Sequence, residues 1–425
     1  MPTSKILKSI KYKNYKAFKG QHTIDLKNLT LLFGYNNTGK SALVRSFPLL
    51  SDSMKGNKPN YFTVSFLDYS SESLRGGVFD NVVTSGESRL GFGLEWHNGD
   101  YLEFELQKLG SEAEMMTSLS ISTDNRQLSY IPSVDSEGML ENVNDSSDVI
   151  NFHGFRLTEE LTFNELISHF SNSVHWVSST RIPPQRFFEV GVGVPLKIMP
   201  NGSGVGPVIW HLNENNSNSI EDINGWLRTT CQREIFFGSL SSSATSGRMR
   251  VGLDTVSILE DSGGTHRVPI LDSGEGIAQA LPVVVLAAMA ANGELGESPI
   301  IVVEQPELHL HPLASVELAN FIIKCIQKNS SIRFILETHS ESFLRALQIA
   351  ILDTELSTEN FSCYWTSRTE QGSLLESISF DSEAYLSSAW PQEVFRESLN
   401  QAKRLVRLRQ EKAKQSLDSS SKRGE

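Results

Sequence analysis

Hydrophobic and polar positions recur along this chain with two distinct periods. Near the start, short apolar runs are broken by charged residues: Ile6, Ile10 and Tyr12, then Thr23-Ile24-Asp25-Leu26, then Leu29 to Phe33. These read as strands, and Gly34 closes the last of them. From Lys40 the spacing becomes Leu43, Phe47 and Leu50, the i, i+4, i+7 stripe of a helix. Between about Tyr61 and Arg267 the signal weakens. Alternation at Leu90–Trp96 and Tyr101–Leu106 predicts strands. The Ser-, Asp- and Asn-rich stretch 111–148 and the Gly- and Asn-rich stretch 200–218 are expected to be loops or mobile inserts.

Order returns from Val268. An apolar helix is predicted over about Gly276–Ala291, then a β-branched run Ile300–Val303. A helix follows near Leu313–Gln327, with Leu318, Ile322 and Cys325 on one stripe, then a strand Ile332–Leu336 and a helix from Glu341. Strands that are apolar throughout and alternate with helices imply a mostly parallel sheet covered on both faces. Residues 392–415 read as a charged helix and 416–425 as frayed chain.

Length and composition narrow the picture. At roughly 150 residues per domain, 425 residues imply two or three domains. Lys plus Arg is 38 against 50 Asp plus Glu, a formal charge of −12, which argues against general coating of nucleic acid. Three widely spaced cysteines, Cys231, Cys325 and Cys363, do not make a disulfide framework and fit a reducing compartment. The first 50 residues lack the apolar core of a signal peptide. The longest apolar run, Ala280–Ala291, contains Pro282 and falls short of the roughly 20 residues of a membrane span. A cytoplasmic protein without a membrane anchor is expected.

The chemistry lies in a series of short motifs. Gly34-Tyr35-Asn36-Asn37-Thr38-Gly39-Lys40-Ser41 matches G-x-x-x-x-G-K-[ST] at each fixed position, between a strand and a helix. Its glycines allow a tight turn, and successive backbone N–H groups cradle phosphates at the helix start. In such a loop Lys40 reaches the β and γ phosphates and the Ser41 hydroxyl ligates Mg2+. ATP and Mg2+ are therefore the expected cofactors. A second acid is needed at the metal, and Glu304 supplies it at the carboxyl end of the Ile300–Val303 run, where open α/β sheets bind ligands. Gln305 follows. A glutamine orients water but takes no proton, and a missing base costs roughly 10²–10⁴ in rate. Glu307 is the nearest carboxylate able to help. His339, one predicted strand further on, is placed to meet the γ phosphate. Ser273-Gly274-Glu275-Gly276 opens the apolar helix and offers a second anion site. His309 and His311 lack a matching ligand set at zinc spacing and read as a loop beside the nucleotide.

Taken as a series, these motifs resemble those of the ABC/SMC-type ATPases of the AAA-15, AAA-21 and OLD group, many of which belong to bacterial anti-phage systems. Residues 34–41 are similar to the group's G-x-N-x-[ST]-G-K-S loop. Residues 272–279, Asp-Ser-Gly-Glu-Gly-Ile-Ala-Gln, resemble its degenerate signature. Residues 304–312, Glu-Gln-Pro-Glu-Leu-His-Leu-His-Pro, resemble its E-[EQ]-P-E-x-H-L-H-P box, and Glu337-Thr338-His339-Ser340 its switch histidine. Leu74–Val83, the R-x-x-P-x-R segment within Ser179–Arg186, and Trp390-Pro391 carry further similarity.

The resemblance implies an α/β fold: an ABC-ATPase-like head with a mixed or parallel sheet, a β-rich N-terminal lobe and an inserted middle region. It divides the chain into 1–60, the part of the head carrying the P-loop; 61–265, the β-rich lobe and insert; 266–380, the part with signature, Glu304 and His339; and 381–425, a helical tail. It implies a homodimer or higher homo-oligomer in which Lys40, Ser41 and Glu304 of one subunit face Ser273, Gly274 and Gly276 of the other. Glu304, Gln305, Glu307 and His339 form the implied catalytic group. Gln305 stands where ABC-type ATPases have a catalytic glutamate, so slow hydrolysis is expected. About 85 residues follow His339, little room for the nuclease domain of OLD proteins, so any nuclease is expected on another chain. The reading is an ATPase subunit of a prokaryotic anti-phage defence complex that senses a phage trigger and controls a separate effector nuclease. The alternatives are a DNA-repair or recombination ATPase that clamps DNA through Lys403, Arg404, Arg407, Arg409, Lys412 and Lys414, and a non-hydrolysing scaffold.

Overall fold

The protein is described by a computed structural model over residues 5–55, 66–110, 113–123, 126–134, 139–150, 155, 161–238, 241–242, 248–258, 267–391, 394, 396 and 400–410. It opens with β1 (Leu7–Tyr15), β2 (Phe18–Asp25) and β3 (Leu29–Gly34), then helix α1 (Lys40–Met54). A short helix α2 (Phe79–Val82) leads to β4 (Arg89–Trp96), β5 (Tyr101–Leu109), β6 (Ala113–Thr123), β7 (Arg126–Pro132), β8 (Leu140–Asn142) and β9 (Asp145–Ile150). Next come α3 (Leu161–Ser173), β10 (Val174–Val177), β11 (Phe187–Gly191), α4 (Val205–Glu214) and α5 (Asn218–Cys231). The strands β12 (Arg233–Phe237), β13 (Ser241–Ser242), β14 (Arg248–Ser257) and β15 (Arg267–Pro269) follow. Then α6 (Glu275–Ala291), β16 (Ile300–Glu304), α7 (Pro312–Lys328), β17 (Arg333–Glu337) and α8 (Glu341–Leu352) alternate, and β18 (Phe361–Thr369) and β19 (Gly372–Ile378) form a hairpin.

The described strands make three sheets. The central one has the order β10-β16-β17-β3-β18-β19 and is parallel except for β19. The inner strands β3, β16 and β17 are buried on both faces. Leu29, Leu31 and Phe33 of β3 join the core under α4 to α8, while Leu32 points into the core shared with α1 and α3. Ile301 and Val303 against Ile300 and Val302 divide in the same way on β16. Nearly continuous apolar runs are the sequence consequence of this double burial. The expected α/β head with a mixed, largely parallel sheet is observed. Among the described residues no helix is long and apolar enough to cross a membrane.

The second sheet is antiparallel, in the order β2-β1-β4-β5-β6-β7-β8-β9. One face buries Leu90, Phe92, Leu94, Leu102, Phe104 and Leu106. On the other face, Gly91 and Gly93 of β4 leave a trough across which Lys13 and Lys11 of β1 reach Glu105 and Glu103 of β5. A side chain at either glycine would press on Lys13 or Lys11. The third sheet gathers β11, β12, β13 and β15 around β14.

Two loop expectations are corrected. Stretch 111–148 carries β6, β7, β8 and part of β9. Its serines alternate with buried residues, as in Ser118-Leu119-Ser120-Ile121-Ser122, where Leu119 and Ile121 are enclosed. Polar composition hid a period of two. Stretch 200–218 contains α4, whose Val205, Val208, Ile209 and Leu212 are buried at helical spacing behind the turn at Gly204. The helix expected over 392–415 is described at 400–410, with all its residues exposed. Lys412, Lys414 and the segment 416–425 lie outside the described residues. Ahead of it, Trp390 is buried, with its ring centroid 5.3 Å from Phe33 and 5.2 Å from Trp365. Trp390→Ala removes this plug, and a loss of about 3 kcal/mol in unfolding free energy is expected in denaturant titration. A loss under about 0.5 kcal/mol would mean that residues 379–391 do not pack on the head.

Candidate nucleotide-binding site

Residues 34–41 turn from β3 into α1 through three positions of positive φ: Gly34 at 151°, Asn37 at 64° and Gly39 at 96°. Asparagine tolerates this region better than most side chains, and glycine pays no steric penalty there. The Thr38 hydroxyl donates to the carbonyl of Tyr35 at 2.8 Å and lies 2.6 Å from the Thr366 hydroxyl of β18, tying the loop to the sheet. Lys40 is 3% exposed. Its ammonium donates to the carbonyls of Gly34 at 2.9 Å and Tyr35 at 2.7 Å, and burial holds its pKa below the usual lysine value. Its hydrogen bonds go to neutral carbonyls, and the carboxylate of Glu337 acts on it only through charge. Tyr35, Asn36 and Asn37 are exposed, with the Tyr35 ring edge-on to Trp365 at 5.3 Å.

Two carboxylates sit beneath the start of α1. Because β16 and β17 run parallel in register, Glu304 and Glu337 end side by side. β17 also pairs with β3, so Glu337 is one strand from the P-loop strand and Glu304 is two. Ser41 and Arg45, one helical turn apart on α1, reach one acid each. The Ser41 hydroxyl donates to Oε1 of Glu337 at 2.9 Å. Arg45 grips Glu304 with both arms, Nε to Oε1 at 2.7 Å and an Nη to Oε2 at 2.6 Å. Glu304 also accepts from Trp176 Nε1 at 3.3 Å and from the Ser179 hydroxyl at 3.0 Å and N–H at 3.4 Å. Glu337 is 3% exposed, and its Oε2 is buried without a partner. Burial, reinforced by the charge of Glu304, raises its pKa from the ordinary glutamate value against the pull of Ser41, Lys40 and Arg45. A buried acceptor left unpaired costs about 1–3 kcal/mol, more when charged.

The loop after β16 folds back over the strand ends. Gln305 has φ 47°, and its N–H donates to the Glu337 carbonyl at 2.7 Å. Glu307 accepts the backbone N–H of His339 at 2.8 Å, and its other oxygen is buried without a partner. Burial raises the Glu307 pKa. Burial and the nearby Lys40 push His339 down to about 4, so its ring is neutral at physiological pH. His311 caps α7, accepting from the Leu313 N–H at 3.3 Å. Arg181 is enclosed and donates to the carbonyls of Ser178 at 3.0 Å, Gln279 at 3.2 Å, Glu304 at 2.8 Å and Gln305. It thus ties the residue that follows β10 to α6 and to the end of β16.

Ser273, Gly274 and Gly276 begin α6. The Ser273 hydroxyl lies 2.9 Å from that of Thr255 and donates to the Pro269 carbonyl at 3.2 Å. A Cβ on Gly276 would collide with the carbonyl of His309, so this glycine lets the helix start lie against the 305–311 loop. Arg186 pairs with Asp272 at 2.9 Å beside this turn. Among the described residues, Ser273 makes no hydrogen bond to residues 34–41. The fold thus gathers Gly34–Ser41, Glu304, Gln305, Glu307 and His339 at the carboxyl ends of the interior strands β3, β16 and β17 and sets the 273–276 turn against the loop that follows β16.

Three contributors were not singled out from sequence: Arg45, Glu337 and the clamp function of Arg181. Glu337 had a visible signal, since it closes an apolar strand as Glu304 does. Arg45 follows Ser41 by four residues, the spacing that puts both on one helix face. Arg181→Met keeps much of the buried volume and strands four carbonyls. A stability loss of about 3 kcal/mol or more is expected by denaturant unfolding, and a loss below 1 kcal/mol would remove Arg181 from the frame of the site.

Residues 29–345 match the family model described as "AAA domain, putative AbiEii toxin, Type IV TA system". None of the curated proteins matches the chain. Among solved structures, the SMC head domain from Thermotoga maritima is similar with 14% identity and a TM-score of 0.41, over 88% of this chain and 99% of that one. The Smc head domain with an extended coiled coil bound to the C-terminal domain of ScpA, derived from Pyrococcus furiosus, is similar with 10% identity and a TM-score of 0.47, over 88% of this chain and 96% of that one. The family match runs from β3 through the P-loop, Glu304 and His339 into α8, well over half of the chain, which therefore belongs to this AAA-domain family of P-loop ATPases.

Proposed function

We propose that the protein is an ATP-binding, slowly hydrolysing switch of a prokaryotic anti-phage defence complex, working as a homodimer that answers a phage-derived trigger and controls a separate effector nuclease. The observation that carries the nucleotide part is the convergence of a buried Lys40, the Ser41 hydroxyl and two strand-end carboxylates under one helix N-terminus. The residues fit ATP with Mg2+. Lys40 gives its hydrogen bonds to neutral carbonyls, and Ser41 with Glu304, beside which Glu337 leaves one oxygen unpartnered, offers the hard oxygen donors that Mg2+ takes. Bound Mg2+ would neutralise phosphate charge.

The chain's own groups do the remaining work. Backbone N–H groups of the loop and Lys40 hold the phosphates. Gln305 orients water without accepting its proton, so turnover is slow. Glu307, with one buried oxygen free and a raised pKa, is the nearest proton acceptor. Neutral His339 offers a ring nitrogen beside Lys40. Contact between Gly276 and the His309 carbonyl couples the 273–276 turn to the loop after Glu304, which supports a composite site in which Ser273, Gly274 and Gly276 face the nucleotide of a second copy. A slow two-state device needs only a differential affinity of a few kcal/mol. The family's description as a toxin of a type IV system supports a role in cellular conflict.

Lys40→Ala should weaken ATP binding at least tenfold by calorimetry, and unchanged affinity would sink the nucleotide reading. With ATP and Mg2+, light scattering should report a doubled mass; a persistent monomer rejects the composite site. Glu307→Gln should slow phosphate release at least tenfold, and full retention of a measurable wild-type rate removes its helper role. A second reading, direct DNA clamping, draws on the exposed Lys403, Arg404, Arg407 and Arg409. Gel shifts across a salt series separate the two, since phosphate contacts impose a steep salt slope.

A further inference from the structure

The opposite end of the central sheet carries a buried charge that the nucleotide site does not use. β3, β16 and β17 run parallel and present the P-loop, Glu304 and Glu337 at their carboxyl ends, whereas Arg333 opens β17 at its amino end. The Arg333 N–H donates to the Pro299 carbonyl at 2.9 Å, and the residue is only 7% exposed. One arm of its guanidinium is spent: Nη1 donates to the carbonyls of Ser330 at 3.3 Å and Ile332 at 3.0 Å. The other edge is poorly used. Nε is buried without a hydrogen-bond partner, and Nη2 lies 3.5 Å from Nε2 of His97, beyond the usual range of a hydrogen bond. Among the described residues no carboxylate acts on this cation, and burial alone pulls its pKa down to about 10. A buried charge without a counterion is costly, and a buried donor without a partner calls for an explanation.

Further cations stand around it. His97, just after β4, is exposed, which puts the guanidinium one side chain away from solvent. Burial, then the charges of Arg333, Lys27 and Lys8, hold the His97 pKa below its usual value, with Glu95 pulling the other way. All three cations therefore lie within electrostatic reach of one ring. Glu95 is taken by Lys8 at 2.6 Å, and Asp25 also acts on Lys8. Lys27, half-buried between β2 and β3, has no ion pair among the described residues. Arg333 and Lys27 are thus left without a paired acid, in a chain whose formal charge is −12. A phosphate monoester carries a charge of about −1.5 to −2 and three acceptor oxygens, enough to match both cations, where a carboxylate brings a single charge. The Nε–Nη2 edge of a guanidinium takes two phosphate oxygens side by side. We propose that Arg333 and Lys27, beside His97, form a second anion site that takes a phosphate group, as the free ion or as a monoester, at the end of the sheet opposite the P-loop. The site stands apart from the nucleotide reading and does not depend on it.

The competing account is that Arg333 is a structural side chain that holds the 330–332 turn and needs no anion. The test uses the full chain carrying Lys40→Ala, which removes the P-loop ammonium as a competing phosphate ligand. Sodium phosphate and glycerol 3-phosphate are titrated by calorimetry at one fixed ionic strength, so that screening is the same in each run. At least one probe should bind with a dissociation constant of about 1 mM or tighter. Tighter binding of glycerol 3-phosphate marks the monoester as the ligand, and tighter binding of phosphate marks the free ion. Adding Arg333→Met, which keeps an apolar stem and removes the charge, should weaken the tighter probe at least tenfold. Adding Lys27→Gln in its place should weaken it at least threefold. A ligand that binds the folded state also raises the melting temperature, so phosphate should raise that of the parent and leave that of the Arg333→Met protein unmoved. If Arg333→Met does not fold, the half-buried Lys27 carries the test through Lys27→Gln and Lys27→Glu, and the reversed charge should weaken binding more than the neutral one. No binding of either probe at millimolar concentration overturns the proposal. So does an affinity that Arg333→Met, or where it does not fold Lys27→Glu, leaves within threefold of the parent, or an equal phosphate-induced rise in melting temperature with and without Arg333. None of these results touches ATP binding, which is read separately on the chain with Lys40 in place.

Discussion

Two carboxylates buried side by side at the ends of adjacent parallel strands constrain everything around them. Parallel pairing in register brings Glu304 and Glu337 together whether or not their charges agree. Burial makes each charge costly, and mutual repulsion adds to the cost. The fold answers with donors from one helix. Ser41 and Arg45 hang from successive turns of α1 and reach down to one acid each. The site is thus a consequence of where α1 begins, and α1 begins where the P-loop turns.

The remainder of the head keeps that geometry rigid. Arg181 satisfies four carbonyls, those of Gln279 in α6, Glu304 at the end of β16, and Ser178 and Gln305 just beyond β10 and β16. Thr38 and Thr366 pin the P-loop to β18, and Trp390 closes the far side of β3 and β18 against Phe33 and Trp365. The antiparallel sheet packs with α1 and α3 against one face of the central sheet, so the helix that carries Ser41 and Arg45 is held from both sides. A loop cradle on such a frame gains affinity by preorganisation, because little has to be ordered when a ligand arrives.

Coupling between the nucleotide edge and the start of α6 has a concrete route. The strand β16 ends at Glu304, the chain turns at Gln305 with positive φ, and the following loop places the His309 carbonyl against Gly276. Glu307 on that loop holds the backbone of His339. These segments are in direct contact with one another.

Much of this was legible in the amino-acid order. The apolar runs of β3, β16 and β17, the stripe of α1 and the P-loop spacing are local, and local patterns survive translation into structure. Strand β6 was not legible because a face of serine and threonine made a period of two look like a loop, and β8 and β9 are short and rich in polar residues. Helix α4 was masked in the same way by flanking glycine and asparagine. At the site, sequence determined which residues could bear charge and where each strand stopped. Only the tertiary structure decided that Arg45 would be spent on Glu304 and that Glu337 would be left with a bare oxygen. Pairing of side chains from α1, β16 and β17, some 260 to 300 positions apart, depends on strand order and register, and those are set by long-range packing that no window of residues contains.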